Sequence, residues 1–384
     1  MKKKLIRITT APGSLSTLLK GQLKFMGDHY EVIGISSSDG NLLKQVGEKE
    51  KIKVVPVEMT RKITPFRDLL ATWKLYRILK REKPFIVHTH TPKAGTLGML
   101  AAYLARVPHR LHTIAGLPLL EATGNKRWLL DTVEKLTYRC ATKIYPNSFG
   151  LKDIIVHNKY TTTIKLKVIG NGSSNGIDTN HFDPSLYEQT EKEKLRKTLG
   201  IEQSDFVYIF VGRLVSDKGI NELIEAFKRI ASEFENTKLL LVGYYEKDLD
   251  PLLPKTESFI NNSNQVISVG LQSDVRPFFA ISNCLVFPSY REGFPNVVMQ
   301  AGAMGLKSIA TDINGCNEII IDGANGTLIP PKDVKSLYQS MKQYRNLGQT
   351  NKNVAKVCRE LIEKRYDQEF IWNSILKEYR SFEI

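Results

Sequence analysis

Between residues 206 and 311, five apolar runs (206–212, 238–243, 265–269, 284–288 and 307–311) alternate with stretches of helical periodicity. Runs this short and this continuously apolar suit strands covered on both faces, and the intervening helices supply the crossovers that parallel strands require. The pattern predicts an α/β fold with a doubly wound parallel sheet. In such a sheet the strand-to-helix turns emerge at the carboxyl edge, which is where ligands bind.

Two of those turns carry chemistry. SYREGFPNVVMQAGAMG (289–305) follows the CLVFP run and sets Glu292 just beyond a strand end. Pro295 suits the first turn of the next helix, so the N–H groups near Asn296, Val297 and Val298 are free to meet an anion. FVYIFVGRLVSDKGINELIEAF (206–227) runs from a strand into Gly212 and Arg213, with a helix starting near Gly219. Arg213 offers phosphate a planar fork and Lys218 a point charge. Alone, the first is an ordinary strand–turn–helix with a surface glutamate, and the second a solvated basic loop. Together on one sheet edge, two cations, a carboxylate and a helix start suit a sugar joined to a diphosphate.

These residues resemble the retaining, nucleotide-sugar-dependent glycosyltransferases of the large family-4 type, which have the GT-B fold. The family's Gly-Arg…Lys-Gly turn is matched by Gly212, Arg213, Lys218 and Gly219, and its Glu-Gly-Phe-Pro turn by Glu292, Gly293, Phe294 and Pro295. GANGTLIPPKD (323–333) resembles the family's closing segment. The resemblance implies two Rossmann-like domains whose parallel sheets face an interdomain cleft. It also implies that Glu292 contacts the donor sugar, and that attack occurs on the same face as the leaving group. The second acid of the family signature falls on Gln300, whose amide can still accept a hydrogen bond from a ribose hydroxyl. With two cations facing phosphate, neither a metal nor another cofactor is expected. Asp248-x-Asp250 reads as a polar loop after the 238–243 run.

The N-terminal half reads as a second α/β unit. KKLIRITT (3–10) is its first strand, and Gly13, with Ser14 beside it, lies in the turn that follows, where backbone could approach the donor closely. PFIVHTHTPKAGTLGMLAAYLA (84–105) is a strand, a polar turn and a helix. His88 and His90, two apart on an extended strand, are expected to point to opposite faces, which argues against a shared metal. His90, Lys93 and Ser14 are candidates for acceptor contacts. A short strand ends at His112, and the resemblance implies that this histidine faces the donor sugar. The Gly-, Asn- and Ser-rich segment 168–184 marks a boundary, giving domains 1–182 and 183–366, with residues 367–384 crossing back to the first.

Charge separates the halves. Residues 1–185 hold 30 Lys and Arg against 14 Asp and Glu, whereas residues 186–384 hold 25 against 26. The excess is densest in RKITPFRDLLATWKLYRILKREK (61–83), where Arg61, Lys62, Arg67, Lys74 and Arg77 accompany a stripe of Phe66, Leu69, Leu70, Trp73, Tyr76 and Leu79. The stripe is expected to pack on the sheet as a crossover helix, leaving the cations to attract an anionic membrane or a lipid-diphosphate acceptor. No nucleic-acid motif accompanies the charge. Four scattered cysteines show no metal-ligand spacing and read as reduced cytoplasmic thiols. The resulting expectation is a cytoplasmic enzyme, peripheral to the inner membrane face, that transfers sugar from a nucleotide-sugar donor to a polyprenyl-diphosphate-linked glycan. The alternatives are a nucleotide-sugar epimerase of the same fold and a non-catalytic sugar-nucleotide-binding subunit.

Overall fold

The computed structural model describes residues 2–383, apart from 61, 118, 120, 121, 247, 249 and 349–351. Arg61 of the basic stretch therefore lies outside the described residues. The chain forms two compact units, Met1–Gly176 with Gln368–Ile384, and Ile177–Asp367.

The first unit holds a six-stranded sheet of β1 (Lys4–Ile8), β2 (Glu31–Ser36), β3 (Lys53–Pro56), β4 (Ile86–Thr89), β5 (His109–Ile114) and β6 (Lys143–Pro146). Their order is β3-β2-β1-β4-β5-β6, with every pair parallel. The second holds β7 (Phe206–Val211), β8 (Thr237–Val242), β9 (Val266–Ser268), β10 (Cys284–Phe287), β11 (Lys307–Thr311) and β12 (Gly326–Ile329). Their order, β12-β11-β10-β7-β8-β9, repeats the same winding, again all parallel. The central strands β7 and β10 are buried almost throughout, because helices cover both faces of each sheet.

The helix Pro65–Glu82 departs from expectation. It buries Ala71, Thr72, Leu75, Leu79 and Glu82, while Phe66, Leu69, Leu70 and Trp73 stand exposed. At 3.6 residues per turn these two sets lie on opposite sides of the helix. Ala71 and Thr72 are small enough for close approach to the neighbouring helix Pro92–Leu104, itself rich in Gly and Ala. The stripe read from the sequence is thus mostly the outward face.

Candidate functional site

In the second unit the chain leaves β7 toward β8 and leaves β10 toward β11, strands on opposite sides of the β7–β10 pair. That reversal opens a crevice at the carboxyl edge. Gly212 and Arg213 follow β7, a tight turn spans Ser216–Lys218, and the helix Ile220–Glu233 begins after Gly219. On the β10 side, Pro288 and a buried Ser289 lead to Glu292, Gly293 and Phe294, with the helix Asn296–Ala303 beyond. Pro295 is the residue that caps this helix rather than a member of its first turn, so the chain enters at Asn296. Val297 and Val298 are in the first turn, and the partly exposed Gln300 follows one turn along.

The structure brings the two turns into contact. Lys218 Nζ donates to Glu292 Oε1, both side chains being mostly buried. Tyr290 N donates to Asp217 O at 2.9 Å, and Arg291 pairs with the Asp217 carboxylate at 2.9 Å. Arg213 pairs with Glu246, and Asp217 N donates to Asp250 Oδ2 at 2.7 Å, which ties in the turn after β8. Asn314, in the turn after β11, donates to the carbonyls of Glu292 and Gly293 at 3.1 and 2.8 Å. Turns from four adjacent strands therefore fix one another around Lys218 and Glu292. Glu246, Arg291 and Asn314 escaped the sequence reading, although Asn314 follows the 307–311 run and the same strand-end logic reaches it.

Gly219 explains why the turns sit so close. Its φ is +70°, and a Cβ there would lie 2.1 Å from the Pro288 carbonyl oxygen. Gly219→Ala is expected to lower the unfolding free energy by about 2 kcal/mol through left-handed strain and overlap. The effect should appear as a lower urea midpoint at unchanged slope. An unmoved midpoint would show that the turn tolerates a side chain.

In the first unit, Gly13 and Ser14 open the helix Pro12–Leu18, and the space a Gly13 Cβ would take is empty to 4 Å. Thr10 N donates to Thr91 Oγ1 at 3.0 Å, joining the turns after β1 and β4. Lys93, in the first turn of the helix Pro92–Leu104 that follows, forms an ion pair with Asp68.

Three histidine expectations need correction. Side chains alternate along a strand, so residues two apart share a face. His88 and His90 accordingly face the same way, with ring centroids 4.2 Å apart. Both are buried: His88 meets the Tyr379 hydroxyl at 2.5 Å and Thr113 Oγ1 at 2.7 Å, and His90 Nε2 accepts from Arg7 Nε at 2.9 Å. His90 is thus an interior residue rather than an exposed acceptor contact. His112 does not end its strand, because β5 continues to Ile114. Its ring meets Thr89 Oγ1 at 2.7 Å and lies so close beneath Gly95 that a Cβ there would be 2.4 Å from it. At 3% exposure it has no open face for a sugar.

Paired parallel sheets of this winding, one with cations and a carboxylate at its switch point, are the architecture of the GT-B glycosyltransferases. Residues 191–361 match the family described as glycosyl transferases group 1, and residues 13–148 the family described as glycosyl transferase 4-like. The chain is 33% identical over 380 residues to the capsular polysaccharide biosynthesis glycosyltransferase CapM of Staphylococcus aureus, covering 99% of this chain and 97% of that protein. It is 29% identical to an Escherichia coli UDP-Gal:α-D-GlcNAc-diphosphoundecaprenol α-1,3-galactosyltransferase, covering 89% of each. Among solved structures, Anabaena HepE in complex with UDP and glucose superposes with a TM-score of 0.82 at 21% identity, over 99% of this chain and 100% of that one. The chain belongs to the family-4-type glycosyltransferases.

Proposed function

We propose that this protein is a retaining glycosyltransferase that moves a hexose or N-acetylhexosamine from a UDP-sugar to a lipid-diphosphate-linked glycan. The convergence of Arg213, Lys218 and Glu292 at the switch point of the second unit carries this reading. In this assignment the second unit holds the donor and the first unit the acceptor.

The donor diphosphate lies against Arg213, Lys218 and the N–H groups of Asn296, Val297 and Val298. An arriving diphosphate competes with Glu292 for Lys218 and releases the carboxylate to accept hydrogen bonds from sugar hydroxyls. Gln300 accepts from the ribose. As the bond between sugar and phosphate breaks, negative charge grows on the departing oxygen, where fixed cations lower the barrier without reorganising. The acceptor hydroxyl attacks on the same face, and a donor phosphate oxygen takes its proton. No metal is required in this scheme. Names of relatives support the acceptor class: the E. coli protein acts on a diphosphoundecaprenol-linked sugar, and a Campylobacter jejuni relative, 27% identical over 336 residues, is likewise a diphospho-undecaprenol glycosyltransferase. The surplus of cations in residues 1–185 supports work at the inner, anionic face of the plasma membrane.

A thermal-shift series with UDP, GDP, ADP and CDP tests the donor site. At one hundred times its Kd, UDP is expected to stabilise the protein by about 2.7 kcal/mol, equally with and without chelator. A response to another base alone would reassign the donor, and silence to all four would remove the donor reading.

A further inference from the structure

The first unit presents an apolar surface that the fold does not use. Ile63, Phe66, Leu69, Leu70 and Trp73 are 59, 87, 70, 60 and 53% exposed, all on or just ahead of the amino-terminal half of the helix Pro65–Glu82. A scattered exposed leucine needs no explanation, but five large side chains clustered in eleven residues do. Cations surround them: Lys62, Arg67, Lys74 and Arg77 are exposed, and the Arg77 guanidinium stacks 4.8 Å over the Trp73 ring. The acid of this region, Asp68, is already held by Lys93 and by Thr64. Trp128, on the helix Gly124–Cys140, is 70% exposed beside Lys126.

Topology puts these features at one end of the unit. The helices Pro65–Glu82, Pro92–Leu104 and Gly124–Cys140 follow β3, β4 and β5, so their amino ends all lie at the carboxyl edge of the parallel sheet. That is also the edge of Gly13, Ser14 and Lys93. No helix among the described residues is long and apolar enough to cross a membrane.

We propose that the amino-terminal half of the helix Pro65–Glu82 lies in the interface of an anionic bilayer, with Phe66, Leu69, Leu70 and Trp73 inserted among the acyl chains. This rests on the lipid-linked acceptor reading and deepens it. Tryptophan and leucine facing a ring of Lys and Arg is the composition of an in-plane interfacial helix, whose long cationic side chains reach back to the headgroups. Charge complementarity selects an anionic lipid surface over a neutral one. The insertion would bring the carboxyl edge of the sheet to the membrane, where a lipid-linked acceptor presents its sugar.

The test is flotation of the full chain with vesicles of equal phosphatidylglycerol and phosphatidylcholine, at 0.1 and 0.5 M salt to separate screened adsorption from insertion. Binding is expected to weaken with salt but to persist, because apolar insertion is not screened. Brominated acyl chains should quench the tryptophan emission, and Trp73→Phe should remove most of that quenching. Phe66→Ser with Leu70→Ser should weaken partitioning at least tenfold, while leaving turnover of a water-soluble short-chain acceptor unchanged. Salt-abolished binding without quenching would overturn insertion and leave the acceptor reading intact. Absence of vesicle binding, with self-association that the double variant abolishes, would assign the patch to a second copy instead. Loss of short-chain turnover in the native protein would count against the enzymatic reading separately.

Discussion

Lys218→Ala is expected to reduce kcat by about 10²- to 10³-fold, which corresponds to about 3–4 kcal/mol of lost transition-state stabilisation. In the proposed site the ammonium already meets the anionic diphosphate of the bound donor and is needed more as charge grows on the departing oxygen, so kcat/KM should fall further than kcat. Glu292→Ala should produce a loss of the same order by removing the carboxylate proposed to orient the transferred sugar. Because the two side chains are in contact, their effects should not add, and the double variant should cost less than the sum. Glu292→Gln separates the roles: it retains an acceptor for sugar hydroxyls but removes the counter-charge that holds Lys218. Steady-state kinetics with a UDP-sugar and a short-chain lipid-diphosphate acceptor reads all four. A Lys218→Ala protein that keeps the native Tm and native kcat would remove Lys218 from the chemistry.

Much of this site is legible in the sequence because its parts are local. Continuous apolar runs identify β7, β8, β10 and β11, and the parallel winding then places every strand-to-helix turn on one edge. Arg213, Lys218, Glu292 and a helix start within one residue of Asn296 follow from that placement. The flanking strands are harder to read: β3 is half-exposed and β12 mixes buried with partly exposed positions, so neither has the unbroken apolar signature of a central strand. Periodicity locates the helix at Pro65–Glu82 but cannot say which of its two apolar faces is inward, since that depends on small residues in a neighbouring helix. The histidines fail for the same reason at longer range. His88 is held by Tyr379, 291 positions away, and His112 is covered by Gly95, contacts that no local pattern encodes.

Those buried histidines lead to the second large expected effect, a loss of stability in mild acid. Arg7 is fully buried in the first unit, and its hydrogen bonds go to neutral groups: His90 at 2.9 Å, Gln22 at 2.5 Å and the Tyr379 hydroxyl at 3.2 Å. His88 and His90 lie within this cluster; burial, and then the Arg7 charge, holds both imidazoles well below their usual pKa. His112 is pushed down to about 4, chiefly by burial. Tyr145 and Glu378 also border the cluster, and Lys167 already pairs with that carboxylate. A depressed histidine pKa means the unfolded chain takes up the proton first. The stabilisation is therefore complete above pH 6.5 and is lost as pH falls toward the folded-state value. At pH 5 each histidine that stays neutral in the fold but protonates on unfolding removes about 2 kcal/mol, or about 6 kcal/mol for the three. Glu82, held by its hydrogen bond from Lys4, is pushed down to about 2 and contributes only to losses below pH 4.5. Burial instead raises Glu134, which takes up its proton more readily in the fold and so works in the opposite sense. Urea unfolding at pH 7.5 and pH 5 should show this difference, with the slope against pH approaching three protons taken up on unfolding. His90→Gln, which keeps an acceptor for Arg7 Nε, should reduce the uptake by about one proton whatever its effect on absolute stability. A stability that stays flat from pH 7.5 to 5 would mean that these rings are solvated or already charged in the folded protein.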